Sequence, residues 1–297
     1  MKLLLPPNFQ CPVCAESLVL QHKTYRCAQN HCYDQAKAGY VNLLLSQQKK
    51  SKQPGDSPEM VKARQDFLNA GYYQPMLEAV AMQLGDLHTP QRPALADAEL
   101  EMAEPIHLLD MGCGEGYYLD SLLRTAPVQA LPLSLSGVDV SKTAVTLAAK
   151  RKLPAQWAVA SVYQLPFADQ SFDLALSIFS PLDPQEVQRV LKPGGHLIMV
   201  GPGPDHLSGL MAHIYDDVRP HQGNPVLEEA VQQGAFQHLT HQDLKYEMTV
   251  TGPDIFNLLT MTPYYWKCDE ATQQAFREMQ QLQTLAHFAV DCYLRTE

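Results

Sequence analysis

The chain has 297 residues, 45% of them hydrophobic and 18% charged, with a formal net charge of −10. These figures describe a folded, soluble protein with room for one large domain and a small companion, and they exclude a disordered or collagenous chain. No apolar run approaches the ~18 residues that span a bilayer, and Met1-Lys2-Leu3-Leu4-Leu5 stops at two prolines, short of a secretory signal core, so a cytoplasmic location with no membrane partner is expected.

In chain order, the first feature is a cysteine-rich head. Four of the seven cysteines fall in CPVCAESLVLQHKTYRCAQNHC. Cys11-x2-Cys14 and Cys27-x3-His31 form two tight pairs, each able to supply two corners of a tetrahedron from one turn, with a hairpin between them. The spacing predicts one structural zinc held by Cys11, Cys14, Cys27 and His31, with Cys32, next to His31, as the alternative fourth ligand. A head this small buries too little apolar area to fold without a metal. Charge sets it apart as well: residues 1–64 carry nine Lys/Arg against four Asp/Glu, and residues 65–297 carry 13 against 28. A basic head precedes an acidic body, so attraction for a polyanion has to come from the head.

The polar run SQQKKSKQPGDSPE reads as a linker, and residues 58–84 as a helix with Ser57 as N-cap, Pro58 at its first position and Gly71 as an interruption. Residues 86–105, acidic and proline-punctuated, read as a surface excursion. Then come the apolar strands IHLLDMG, LPLSLSGVDV, QWAVAS, FDLALSIF and HLIMVG, separated by helical or turn-rich stretches, which implies a parallel sheet covered by helices. After Gly203 the pattern loosens through a histidine-rich segment. It resumes with the strand DLKYEMTVTG, helices near 253–261 and 269–283, and a terminal strand LAHFAVDCYLR. The domain division expected is 1–52 for the zinc-binding head, 53–104 for the linker helix and excursion, and 105–297 for the sheet-forming body.

Residues 106–116, IHLLDMGCGEG, are a strand, an acid at its end and three glycines. In a doubly wound sheet this is the first strand-to-helix turn, where backbone can approach a ligand closely. Such a turn suits a dinucleotide as well, but Asp110 would repel a pyrophosphate and could accept a hydrogen bond from an ammonium group. A second strand ends in Asp139, placed for ribose hydroxyls, and Leu191-Lys192-Pro193-Gly194-Gly195 leads into a fifth strand.

Together these motifs resemble the class I S-adenosylmethionine-dependent methyltransferases over residues 105–203. The resemblance implies an α/β, Rossmann-like, doubly wound sheet with a small N-terminal zinc-binding domain, Gly112 and Gly114 under the methionine part of the cofactor, and Asp139 on its ribose. Where family members often carry an acid for the adenine, this chain has Ala160-Ser161, leaving Ser161 or backbone for that contact. The whole chain is similar to the bacterial 23S ribosomal RNA (guanine-N1)-methyltransferases in CPVC, CAQNH, AGYVNLL, PGDSPEMVKARQDFLNAGYYQP, LLDMGCGEGYY, LPFADQSFDL, LKPGGHLI, GPGPDHL and MTPYYW. That resemblance adds Tyr73, Glu115 and His206 as cofactor contacts, a 23S rRNA hairpin as substrate, and a homodimer as a candidate assembly. GCGEGYY favours the subfamily that modifies nucleotide 745 over its neighbour.

Methylating N1 of neutral guanine requires loss of the N1 proton, helped by an acceptor or by stabilising charge on O6. The loop Phe179-Ser180-Pro181-Leu182-Asp183 is where this fold places target-base contacts, and it lacks the N/D-P-P-Y signature of amino-group methyltransferases. Asp183 and Glu115 are candidate acceptors, and the catalytic group stays unassigned. Tyr264, Tyr265 and Trp266 are candidates for stacking on unpaired bases; Lys23, Arg26, Lys37, Lys49, Lys50 and Lys52 are candidates for phosphate contacts. Two other readings stay open: a small-molecule methyltransferase, which the acidic body suits, and a non-catalytic RNA-binding module that keeps the cofactor as a structural ligand.

Overall fold

The computed structural model describes residues 6–48, 54–88, 105–216, 220–221 and 225–297. Lys49, Lys50, Lys52 and residues 89–104 of the excursion lie outside the described residues.

In the head, β1 (Val19–Gln21), β2 (Thr24–Arg26) and β3 (Cys32–Asp34) pair antiparallel in chain order. The two-residue β4 (Val41–Asn42) leaves the head and pairs parallel with β7 (Ala155–Val159) of the body. The body sheet adds β5 (Ile106–Met111), β6 (Leu133–Asp139), β8 (Phe172–Ile178), β9 (Leu191–Pro202), β10 (Phe236–Thr251) and β11 (Gln281–Arg295), in the spatial order β10-β11-β9-β8-β5-β6-β7-β4. From β4 to β9 every pairing is parallel, while β11 runs antiparallel to both β9 and β10. The chain moves outward from β5 in one direction and then in the other. This puts a topological switch between β5 and β8, and the ligand crevice of such sheets opens outside the strand ends there.

Alternation along the strands sorts the core into two layers. Leu108, Leu174, Leu176 and Ile198 point into the layer that holds α1 (Pro58–Asn69), α2 (Gln74–His88), α3 (Tyr117–Leu122), α4 (Lys142–Lys150), α8 (Pro253–Thr260) and α9 (Glu270–Glu278). Their neighbours Leu109, Ala175 and Leu197 point the other way, onto α5 (Pro184–Val190), α7 (Pro225–Gln232) and the head. A short α6 (Ser208–Met211) follows β9.

The helix predicted over 58–84 is two helices. Ser57 caps the first as expected, its Oγ accepting from Met60 N at 3.3 Å. Gly71 then takes φ +85°, a left-handed turn that a longer side chain resists; it starts the chain on a new helix and leaves Tyr73 buried. The predicted helix near 269–283 stops at Glu278, because Gln281–Thr284 opens β11. β10 is longer than its sequence pattern suggests, with an outer half so exposed that apolar alternation is lost.

The head is stitched to the body. Gln10 N donates to Pro166 O at 2.8 Å and Leu43 N to Val159 O at 2.9 Å, while the Phe9 ring lies 5.2 Å from Phe167 and 5.6 Å from Tyr25. Phe9, Leu18, Val41 and Leu43 share one buried cluster with Leu109 and Met111 of the central strand. Among the described residues no helix is long and apolar enough to cross a membrane. Phe9→Ala should therefore destabilise the whole protein by about 3–5 kcal/mol, the usual cost of deleting a buried phenyl ring. Urea unfolding monitored at both head and body reads this out, and a loss under ~1 kcal/mol would show that the two parts do not share a core.

Candidate active site and metal centre

Two turns bring the head's ligands together. Ala15 and Asn30 adopt left-handed φ of 60° and 62°, one just after the first cysteine pair and one just before His31, so that each chain segment folds back on itself. The thiols of Cys11, Cys14 and Cys27 and a ring nitrogen of His31 all lie within 4.8 Å of one another. Cys11 Sγ is 3.5 Å and Cys27 Sγ 3.4 Å from His31 Nδ1, and Cys14 Sγ is 3.7 Å from Cys27 Sγ. Zinc bonds of ~2.1–2.3 Å at tetrahedral angles require edges of about 3.5–3.8 Å, so the donor set fits zinc, with Nδ1 as the histidine ligand. The Tyr33 hydroxyl lies 3.2 Å from Cys11 Sγ, placed to donate to the thiolate. Cys32 is exposed and its thiol donates to Asn30 O at 3.2 Å, turned away from the cluster.

A cavity of about 1030 Å³ opens at the carboxyl ends of the parallel strands. Tyr73, Gly112, Gly114, Glu115, Asp139, Ser161 and His206 all line it. The turn after β5 forms its floor. Gly112 has φ +75°, and a Cβ there would come within 2.1 Å of Ser180 Oγ; Gly114, at φ +53°, faces open space, with Arg64 Nη1 the closest atom at 3.9 Å from an added Cβ. Asp139 holds this turn: its Oδ2 accepts from Gly114 N at 3.0 Å and its Oδ1 from Ser141 N at 2.7 Å. Ser161 Oγ accepts from Tyr163 N at 3.2 Å.

Asp110 is buried behind the floor and does not reach the wall. Burial, with Asp139 and Glu115 close by, pushes its carboxyl up to about 8. Burial also raises Glu115 and Asp139. Among the described residues, Asp110 Oδ2 and Glu115 Oε1 are buried without a hydrogen-bond partner. Three crowded, desolvated carboxyls, two of them with an oxygen that accepts no hydrogen bond, suit a ligand that brings positive charge, as the ammonium and sulfonium groups of S-adenosylmethionine do.

Arg64, on α1, was not singled out in the sequence. It pairs with Asp56 and, among the described residues, is the one Lys or Arg that lines the cavity, so it could hold the cofactor's carboxylate. Its signal was faint: the seventh residue of a helix lies two turns from the N-cap, and only the fold swings it over Gly114. Asp183 is not in the cavity wall; it caps α5, accepting from Gln185 N at 3.0 Å. Tyr264 and Trp266 line the cavity, whereas Tyr265 packs against the core near Phe256.

His206 has a defined role as a donor. Burial and the nearby His221 lower its pKa to about 3, so the ring is neutral. Its Nδ1 accepts from His287 N at 3.2 Å, which puts the ring proton on Nε2, 3.4 Å from the Tyr73 hydroxyl.

Over residues 9–52 the chain matches a zinc-ribbon family model described as RlmA, N-terminal, and over residues 109–199 one described as a methyltransferase domain. A curated relative from Streptomyces fradiae, named 23S rRNA (guanine(748)-N(1))-methyltransferase, is 33% identical over 88% of this chain and 86% of its own length. Proteins of Micromonospora griseorubida and Bacillus subtilis, provisionally named 23S rRNA (guanine-N(1)-)-methyltransferases, are 32% and 31% identical over 90% and 91% of both chains.

The metal centre predicts one zinc per chain, lost in His31→Ala and kept in Cys32→Ser; metal analysis of the purified variants decides, and the reverse pattern would move the fourth ligand to Cys32. The carboxyl cluster predicts a pH dependence. A cationic cofactor favours ionised Asp110, so affinity for S-adenosylmethionine should rise from about pH 6 to about pH 8 and then level off. Calorimetry across that range should show the rise in the native protein and a flatter profile in Asp110→Asn; identical profiles would remove Asp110 from the linkage.

Proposed function

The chain belongs to the 23S ribosomal RNA (guanine-N1)-methyltransferase family, and from that premise we propose that its cavity methylates a flipped guanine of the nucleotide-745 type, presented in a hairpin loop, in the cytoplasm. The observation that carries the base-binding reading is the cavity's rim. Phe179, Tyr163 and Trp266 are 41%, 53% and 66% exposed, and all three line the mouth of the same cavity whose floor is the glycine turn. Exposed aromatic faces gathered at one cavity mouth are surfaces on which unstacked bases stack. Phe179 is held at φ +53°, a backbone conformation costly for a bulky residue and found where a side chain must be aimed. The bond from Phe179 N to Val200 O, 2.9 Å, fixes it there.

S-adenosylmethionine, when bound, supplies a methyl group already activated by its sulfonium leaving group. The protein's share is to orient the base and manage the N1 proton. Stacking on Phe179 would present the base edge to the cavity. As N1 loses its proton, negative charge gathers on O6, and a neutral His206 with its proton on Nε2 is a donor suited to that oxygen. Glu115 lines the cavity, its Oε1 without a hydrogen bond and 3.9 Å from Arg151 Nη2, and serves as the candidate proton acceptor, a role the capping Asp183 cannot take. Lys23, Arg26 and Lys37 are exposed on the head and support its reading as the unit, residues 1–52, that meets the RNA backbone. A homodimer finds support in the outer edge of β10, at the end of the sheet order, whose backbone groups could pair with a second copy.

Labelled methyl transfer to an unmodified 23S rRNA hairpin, followed by nucleoside analysis and mapping of the modified position, tests the proposal. Methyl on N1 of the nucleotide-745 guanine is expected; methyl on the neighbouring guanine would reassign the subfamily, and no transfer would overturn the RNA reading. Phe179→Ala should lower kcat/KM for the hairpin about tenfold or more, the value of one base–aromatic stack, while S-adenosylhomocysteine affinity stays within about twofold.

A further inference from the structure

On the other side of Phe179 lies a second cavity of about 780 Å³, which shares Phe179, Ser180 and Pro202 with the first. Its base is the outer face of β9, β11 and β10, and α7 closes one side with Glu228. Residues three apart on a strand normally face opposite ways, yet His238 and His241 both reach the same carboxylate. The β-bulge between His238 and Thr240 inserts Leu239 and brings the two imidazoles to one side. Asp291, whose side chain is only 10% exposed, accepts at 2.8 Å on its Oδ1 from His238 Nε2 and at 2.8 Å from His241 Nδ1. The His238 ring stacks on Tyr293, with centroids 4.7 Å apart and planes 26° from parallel. Neither the glycine turn nor the cofactor uses any of these groups.

Among the described residues, the lining contains no Lys or Arg and holds two carboxylates, Asp291 and Glu228. Such a pocket repels phosphate. It accepts a flat, uncharged group that offers N–H donors at its edge and a face for stacking, which is the chemistry of an amino-bearing nucleobase. We propose that this cavity binds the base of the nucleotide next to the target guanine, so that the enzyme reads two adjacent bases on either side of the Phe179 wall. The inference rests on the RNA-methyltransferase reading above. The shared wall supports the occupant: a strand that delivers one base to the first cavity has its neighbour one nucleotide away, at the second.

The test is a cycle between protein and RNA substitutions on the full-length protein, with an unmodified 23S rRNA hairpin and with versions made abasic at each nucleotide flanking the target. His241→Ala and Asp291→Asn should each raise KM for the intact hairpin about tenfold, with kcat and S-adenosylhomocysteine affinity close to native. Removing the base from one flanking nucleotide should cost the native protein a similar factor and cost the variants nothing more. The side chain of His241 is 51% exposed, so its truncation leaves the fold intact even if Asp291→Asn does not. A native KM in His241→Ala, or protein and RNA effects that multiply at both flanking positions, would overturn the proposal. Failure of the native protein to methylate the intact hairpin would overturn the functional reading, and this inference with it.

Discussion

The pair of backbone hydrogen bonds on Asp139 is the constraint around which the site is arranged. One oxygen fixes the glycine turn after β5 and the other fixes the start of α4 after β6, so a single carboxylate locks two adjacent strand ends into one floor. That lock draws Asp139, Asp110 and Glu115 together in a desolvated space where burial raises all three pKa values and the charge of Asp139 adds to the rise at Asp110 and Glu115. The protein spends stability to keep that arrangement, and a cationic ligand returns it. The shape of the glycine turn and the negative charge beneath the cavity follow from where Asp139 points.

Much of this was legible in the sequence, because it is local. Candidate zinc ligands three and four residues apart, an acid followed by glycines, and an N-cap serine before a proline are short-range patterns with one physical solution each. Residues whose role depends on long-range folding were not legible. Arg64 reaches the cavity because α1 crosses over the turn after β5, and Asp183 is consumed by a helix cap that its loop position did not reveal. The interruption expected at Gly71 is where the two helices part: the apolar spacing continues through the break, and only the left-handed glycine marks the turn. The histidines of β10 gave no signal, since a bulge changes which side a residue faces without changing the sequence period.

Charge is partitioned in a way that resolves an apparent conflict. A body rich in carboxylates is a poor surface for a polyanion, yet the family's substrate is RNA. Carboxylates line both cavities, and none of the described exposed cations of the head is among their lining residues. Phosphates and bases of one strand can thus meet surfaces of opposite character, which favours an extruded base over a stacked one.

The pairing of β4 with β7 also constrains the order in which the protein is made. Val41 is partnered with Ala158 and Phe9 with Phe167, so the head finds its neighbours only after more than a hundred further residues have been translated, a delay on the order of 10 s. During that interval nothing but the metal can order the nascent head. Zinc supply during translation would then govern the yield of folded protein more strongly than zinc supply afterwards, when the shared core already shields the ribbon.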